Sequence, residues 1–271
     1  MAIFRDNDSE NYEFVTSVVT SDSYEVPRSV EMPLIGAKLR TPNMSDVVDR
    51  KWLLEMLDRS IKNSTATLLV GRAGSGKTAL AANFARGRSD HSWYSIDAID
   101  ADWNAFQRYF RAALTAESKD SRGKRAINEI AFSSQPVELF ADITAALELD
   151  EREWPSLIVL DNVHHLFDCC WFEEFFAFLI ASLPHTSHVI LLSRSKPPTP
   201  VWRLRSKQVL NVIDEESLAF SPTEAVELFA KNGLNRDVAV KAQAQTFGRP
   251  ADMIAFIESA AVTARESQRI A

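Results

Sequence analysis

Gly71-Arg72-Ala73-Gly74-Ser75-Gly76-Lys77-Thr78, preceded by the apolar run Ala66-Thr67-Leu68-Leu69-Val70, decides how this chain folds. The octet has the form G-x-x-x-x-G-K-[ST]. A strand-like run lies in front and a helix-like run behind, the context a phosphate-binding loop requires. The glycines let the chain turn with its amide hydrogens inward, where they cradle phosphate oxygens. On this reading Gly71 to Thr78, with Ala79 behind them, surround the phosphates of ATP or ADP. Lys77 reaches the β- and γ-phosphates, and Thr78 places its hydroxyl on Mg²⁺. The helix expected over 77–86 turns its positive end toward the anion. The plainer alternative is an ordinary Gly-rich turn.

A second element supports the first. Leu157-Ile158-Val159-Leu160-Asp161 is an apolar run ending in an acid. In phosphate-loop proteins such an acid holds Mg²⁺ from the carboxyl end of a buried strand. Asn162 stands where many related ATPases carry a second acid that polarises the attacking water. An amide orients water but does not accept its proton at neutral pH. The expectation is slow hydrolysis or a nucleotide-bound switch, unless Glu173 or Glu174 supplies a base. His164 and His165 follow, without a third ligand at metal spacing. A γ-phosphate contact by one of them stands against plain packing or exposure. Ile190-Leu191-Leu192-Ser193 ends in Arg194, a planar cation suited to a terminal phosphate and equally ordinary as a solvated strand end.

Around these motifs the pattern alternates. Strands are expected at 66–70, 92–96, 156–160, 188–192 and 208–212. Helices are expected at 49–61, 77–86, 102–114, 136–147 and 171–183. Ser134 is the expected cap and Pro136 a first-turn residue of the fourth of these helices. Continuous apolar strands separated by helices predict an α/β fold with a five-stranded, mainly parallel sheet covered on both faces. After Asp214 only helices are expected, at 222–231 (opened by a Ser221–Glu224 capping box), 237–246 and 251–265. Trp171, Phe172, Phe175, Phe176 and Phe178 spread too widely for one stripe. Packing on two sides is preferred there to an exposed partner surface.

Composition sets the outer limits. The 271 residues are 46% hydrophobic and 25% charged, enough for a full core and a second small domain. A net charge of −7 shows no basic footprint, so direct DNA binding is not expected. No apolar run has membrane-spanning length and no secretory signal opens the chain. Adjacent Cys169 and Cys170, in an apolar stretch, read as buried thiols of a cytoplasmic protein. Four regions are expected. Residues 1–35, rich in acids from Asp6 to Glu31, form a flexible segment holding a short alternating run at 14–19. Residues 36–64 form a lead-in motif and helix, 65–215 the NTPase domain with a charged loop at 119–125, and 216–271 a small helical domain.

Taken in order, the pieces resemble a family. Lys38-Leu39-Arg40-x-Pro42, Val48-x-Arg50-x-x-Leu53-Leu54, the phosphate loop, Trp93-Tyr94-Ser95-Ile96-Asp97, Leu160-Asp161-Asn162-Val163-His164, Ser193-Arg194-x-x-Pro197-Pro198, Arg203-Leu204-Arg205, Phe220-Ser221-x-x-Glu224-Ala225 and Gly248-x-Pro250 are similar to the motifs of the MalT-like group of signal-transduction ATPases (STAND). These modules head many LuxR-type bacterial transcription regulators. The likeness runs over about residues 37–260. It implies an AAA+-related sheet with a helical domain closing over the nucleotide. It implies that Val48, Arg50 and Pro250 border the adenine and that Arg194 is the sensor arginine. It also implies an inactive ADP state and an ATP state that assembles with itself or with a protein partner. Asn162 departs from the family's second Asp. The family's winged-helix, repeat and DNA-binding parts are not within these 271 residues, so the sequence reads as an excerpt or as a free-standing module relying on partners. The rival readings are an AAA+-like motor or loader acting on DNA or protein, with Arg203 or Arg205 acting in trans, and a non-hydrolysing ATP-bound scaffold. A small-molecule kinase is a weaker fourth reading.

Overall fold

The apolar runs pair as five parallel strands: β1 (Ala66–Val70), β2 (His91–Ser95), β3 (Leu157–Asp161), β4 (His188–Ser193) and β5 (Leu210–Ile213). Their order is β2-β3-β4-β1-β5, and every pairing is parallel. The computed structural model describes residues 34–44, 50–116, 127, 130–149 and 153–270, and residues 34–271 cluster as one unit. Registers put Val70 opposite Ser193 and Ser95 opposite Asp161. The ends of β1, β3 and β4 therefore reach one edge together, and the loops that follow them converge there.

Strand side chains alternate between two faces. Leu68, Tyr94, Ile158, Leu160, Val189 and Leu191 face a core built with α3 (Trp103–Ala116), α4 (Pro136–Leu149) and α5 (Phe172–Ser182). Leu69, Trp93, Val159, Ile190 and Leu192 face α1 (Lys51–Asn63) and α2 (Lys77–Arg86). Both faces are thus filled, which is why β3 and β4 read as unbroken apolar runs. The aromatic helix α5 is a packed one. Phe172, Phe175 and Phe176 are buried, and Phe175 meets the edges of Phe106 and Phe110.

Beyond α6 (Thr199–Trp202) and β5 come α7 (Glu215–Leu218), α8 (Pro222–Lys231), α9 (Arg236–Thr246) and α10 (Pro250–Ile270). They carry a separate core of Phe220, Leu228, Phe229, Ala242 and Met253. The Ser221–Glu224 capping box opens α8 as its sequence predicts. Ser134 behaves differently from the expected cap: its N–H and hydroxyl both donate to the Glu138 carboxylate. The cysteines also correct the reading, since Cys169 is half-exposed and Cys170 exposed. The apolar residues around them, Leu166 and Phe172, turn inward and leave the connecting turn outside. The alternating run at 14–19 and the charged loop at 119–125 lie outside the described residues.

At the opposite end of the sheet, His188 ties β4 to β1. Its Nδ1 donates to the Ser64 carbonyl at 3.0 Å, which leaves Nε2 to accept from the Thr67 hydroxyl at 2.8 Å. Burial holds the ring's pKa down at about 4. The folded state therefore binds fewer protons than the unfolded chain below pH ~6.5, and stability falls as pH drops from there toward 4. The loss from this residue is on the order of 3 kcal/mol. Denaturant melts across that window are expected to show a shallower acid slope in His188→Gln than in the natural sequence; equal slopes would contradict the assignment.

Candidate nucleotide-binding site

The loop leaves β1 with the Gly71 amide donating to the Ser193 carbonyl at 3.1 Å. Gly74 and Gly76 adopt φ of 80° and 85°, a region that side-chain-bearing residues rarely enter. A Cβ on Gly74 would also lie 2.6 Å from that of Ala251. Gly76 sits at the start of α2 and no side chain caps that helix. Its first-turn amides are thereby left for an anion.

Lys77 is buried inside the loop it ends. Its Nζ donates to the carbonyls of Gly71 and Arg72 and to Ser75 Oγ at 3.0 Å. Burial lowers its pKa; the Asp161 carboxylate opposes that, and Arg194 adds to it. Thr78 Oγ1 donates to Asp161 Oδ2 at 3.2 Å. Asp161 is buried, and burial raises its pKa against the hydrogen bonds from Thr78 and from the Asn162 backbone. The donor set is a hydroxyl and a carboxylate, both oxygen, one of them a desolvated acid. That fits Mg²⁺, which usually takes one or two carboxylates and completes its shell with water and phosphate. An ammonium ringed by dipoles fits the phosphates.

Asn162 has φ 61° and ψ 34°. Asn is one of the few residues that enter this left-handed region readily. It swings the chain off β3 into the 3₁₀ turn Val163–Leu166, so the residue type at 162 has a backbone reason as well. Arg194, just past β4, is exposed, and its charge acts on Lys77, Asp161 and His164.

The remaining candidates divide. Val48 lies outside the described residues. Arg50 spends its charged end on the helical region: it pairs with Glu224 at 2.8 Å, donates to the Leu218 and Ala219 carbonyls, and stacks over Phe220 at 4.5 Å. This pairing holds the Glu224 carboxyl down at about 2, against its burial. Pro250 sits on the loop, its Cγ 3.3 Å from where a Gly76 side chain would begin. It also lines a cleft of about 480 Å³ with Arg72, Ser75, Glu215, Phe247 and Arg249.

Sequence reasoning missed Arg249. Its guanidinium donates to the Ala73 carbonyl and pairs with Asp252 at 3.0 Å, while the Ala251 amide donates to the Gly74 carbonyl at 3.0 Å. The signal was a basic residue inside Gly248-x-Pro250. The lead-in Lys38 is likewise spent on structure, held by both Asp100 oxygens and by Asp97 at 3.0 Å.

A phosphate loop on the first strand of a parallel sheet, facing an acid at the tip of the third, defines a P-loop NTPase. The AAA domain family matches residues 59–193. Two HTH-type transcriptional regulators MalT are similar. That of Serratia proteamaculans is 33% identical over 202 residues, and that of Yersinia enterocolitica is 32% identical over 198. Each alignment takes in 72% of this chain and 22% of the regulator, so the chain spans about a fifth of the length of these curated relatives. Among solved structures, a Walker-type ATPase of Pyrococcus abyssi aligns over 79% of this chain and 67% of its own, with TM-score 0.54 and 15% identity. A signal-transduction ATPase with numerous domains and a tetratricopeptide-repeat sensor, from Pyrococcus horikoshii, aligns over 77% and 29%, with TM-score 0.52 and 20% identity. These two show the shared fold. The chain carries a MalT-like P-loop NTPase module of the AAA class.

Two substitutions test the site by calorimetry. Lys77→Ala is expected to abolish detectable Mg-ATP binding. Asp161→Ala is expected to retain weak ATP binding that no longer responds to Mg²⁺. Undiminished affinity in the first, or a retained Mg²⁺ response in the second, would contradict the roles of these two side chains.

Proposed function

We propose that this module is a nucleotide-dependent switch. It binds Mg-ATP and ADP at the loop edge of the sheet, turns ATP over slowly, and presents a different protein surface in each state. Lys77 and the amides of residues 74–79 hold the phosphates, and Thr78 and Asp161 hold Mg²⁺. Pro250 lies toward the base. Arg50 borders the adenine, as the family resemblance implies, and Arg194 meets the terminal phosphate.

One observation carries the reading: the carbonyls of Ala73 and Gly74 are bonded to Arg249 and to the Ala251 amide at the start of α10. A ligand shifts an equilibrium only through different contacts in its two states. Here the loop that would close on phosphate is also the loop that holds α10. Filling it bears directly on the helical region. Asn162 supports slow turnover, because an amide cannot take the proton of an attacking water. The MalT relatives support a setting in bacterial transcription regulation, with a protein partner or a second copy as the output. That setting makes the cytoplasm the working compartment.

Light scattering coupled to gel filtration tests the switch. The elution or mass with a non-hydrolysable ATP analogue is expected to differ from that with ADP. Identical profiles would instead favour an ATP-bound scaffold. In a phosphate-release assay Asn162→Asp is expected to raise turnover severalfold; an unchanged rate would show that the amide is not what limits hydrolysis.

A further inference from the structure

Arg59-Ser60-Ile61-Lys62 lies in the last turns of α1, and Arg203-Leu204-Arg205-Ser206-Lys207 leads into β5. The fold brings the two stretches together at the end of the sheet remote from the phosphate loop. Asn211 stands opposite Thr67, and its Nδ2 donates to Ser60 Oγ at 2.9 Å. Between the stretches opens a cleft of about 640 Å³, with Arg59, Asn63 and Ser64 on one wall and Arg205, Gln208 and Asn211 on the other. β5 is an edge strand, so no further strand among the described residues covers this side.

The charge here is one-sided. Arg59 and Arg205 line the cleft, and Lys62, Arg203 and Lys207 lie within three residues of one or the other. All five are exposed, in a chain whose net charge is −7. None of them forms an ion pair with a described carboxylate, and no described carboxylate lines the cleft. Asp58, beside Arg59 in sequence, is taken by Arg88 at 2.9 Å. Asp214 feels the charge of Arg205 without pairing with it. Singly, exposed cations are ordinary solvated side chains. Gathered at one concavity without acids, they repel one another and focus a positive field on it.

The walls are held in place before anything binds. The Arg205 guanidinium lies over the Trp202 ring at 4.6 Å. Asn63 Nδ2 donates to the Arg59 carbonyl at 2.8 Å, so both asparagines are anchored by nitrogen and keep their amide oxygens as acceptors. The Ser64 amide and hydroxyl both donate to the Ser60 carbonyl at 2.9 Å, which covers part of the negative helix end that would oppose an anion. Gln208 adopts φ 59°, a left-handed backbone that costs a residue other than glycine about 1–2 kcal/mol. Guanidinium groups call for carboxylates or phosphates, and fixed amide oxygens call for N–H donors. An acidic peptide supplies both. A nucleic-acid backbone supplies acceptors alone, and a long polyanion meets the repulsion of the remaining acidic surface.

We propose that this cleft is a docking site for a short acidic peptide segment of a partner protein. Its Asp or Glu side chains meet Arg59 and Arg205, and its backbone N–H groups donate to the amide oxygens of Asn63 and Asn211. The site stands independently of the nucleotide site.

Fluorescence anisotropy on the full chain tests it, with a fluorescein-labelled peptide alternating Glu and Ala, its Gln–Ala counterpart, and an oligothymidylate of equal length. At low ionic strength the Glu peptide is expected to bind, and the Gln peptide to bind at least about tenfold more weakly. Arg59→Glu and Arg205→Glu are each expected to weaken the Glu peptide about tenfold or more, and Asn63→Ala severalfold. Lys231→Glu, an equal change of net charge at an exposed position of α8, is expected to leave it within about twofold. Hydrogen exchange of the natural chain, which depends on no variant, is expected to slow across residues 56–64 and 203–211 when the Glu peptide is added. No binding, equal binding of the Glu and Gln peptides, an equal loss in Lys231→Glu, or unchanged exchange in both stretches would overturn the proposal. Tighter binding of the oligothymidylate than of the Glu peptide would overturn it in favour of a nucleic-acid contact.

Discussion

Desolvation of two opposite charges at one edge of a parallel sheet is the constraint on which this structure turns. Lys77 and Asp161 are both buried, and burial moves each pKa toward its neutral form. Neither has the other as a direct salt-bridge partner: the ammonium leans on loop carbonyls, and the carboxylate accepts from Thr78. Two charges kept close, dry and separately solvated by dipoles form an arrangement that a phosphate and a divalent cation would complete. The strand order makes it possible. β4 lies between β1 and β3, which spaces the loop from the acid and lets α2 begin between them.

From that edge the arrangement reaches outward along two routes. One runs through Arg249 and Ala251, which hold the outer carbonyls of the loop to the start of α10. The other runs through Arg72 of the loop, whose amide and guanidinium donate to the Glu215 carboxylate at the start of α7; separately, Arg50 joins the start of α1 to the end of α7 and to Glu224 at the head of α8. Glu224 does double duty, because the same carboxylate accepts from the Ser221 amide in the capping box. The helical region is thus tied to the nucleotide edge at both its first and its last helix. In the proposed switch, these ties would be the route by which bound phosphate bears on the separate helical core.

Much of this was legible in the sequence, for reasons of period and local geometry. All five strands and the long helices appeared within a few residues of their observed bounds, because buried runs and helical spacing are local signals. Gly74 and Gly76 announced the loop because it needs left-handed backbone. Asp161 was legible because it closes an apolar run. The short 3₁₀ turns at 98–101 and 163–166 were not, being too brief to show a period. Cys169 and Cys170 misled because their apolar neighbours, not they, fill the core. Arg249 and the charged end of Arg50 were hidden for a different reason. Their partners lie 176 and 174 residues away, and a lone arginine gives no hint of which distant carbonyl or carboxylate it will meet.

Every nucleotide-dependent role proposed for this chain requires the amides of residues 74–79 to close on phosphate. Hydrogen exchange of the full chain, read by mass spectrometry on peptides spanning that loop, observes those amides directly. Addition of Mg²⁺ with an ATP analogue is expected to slow exchange there strongly, with a smaller effect at the start of α10. Unaltered exchange across residues 71–79 at saturating nucleotide would contradict the account at its centre.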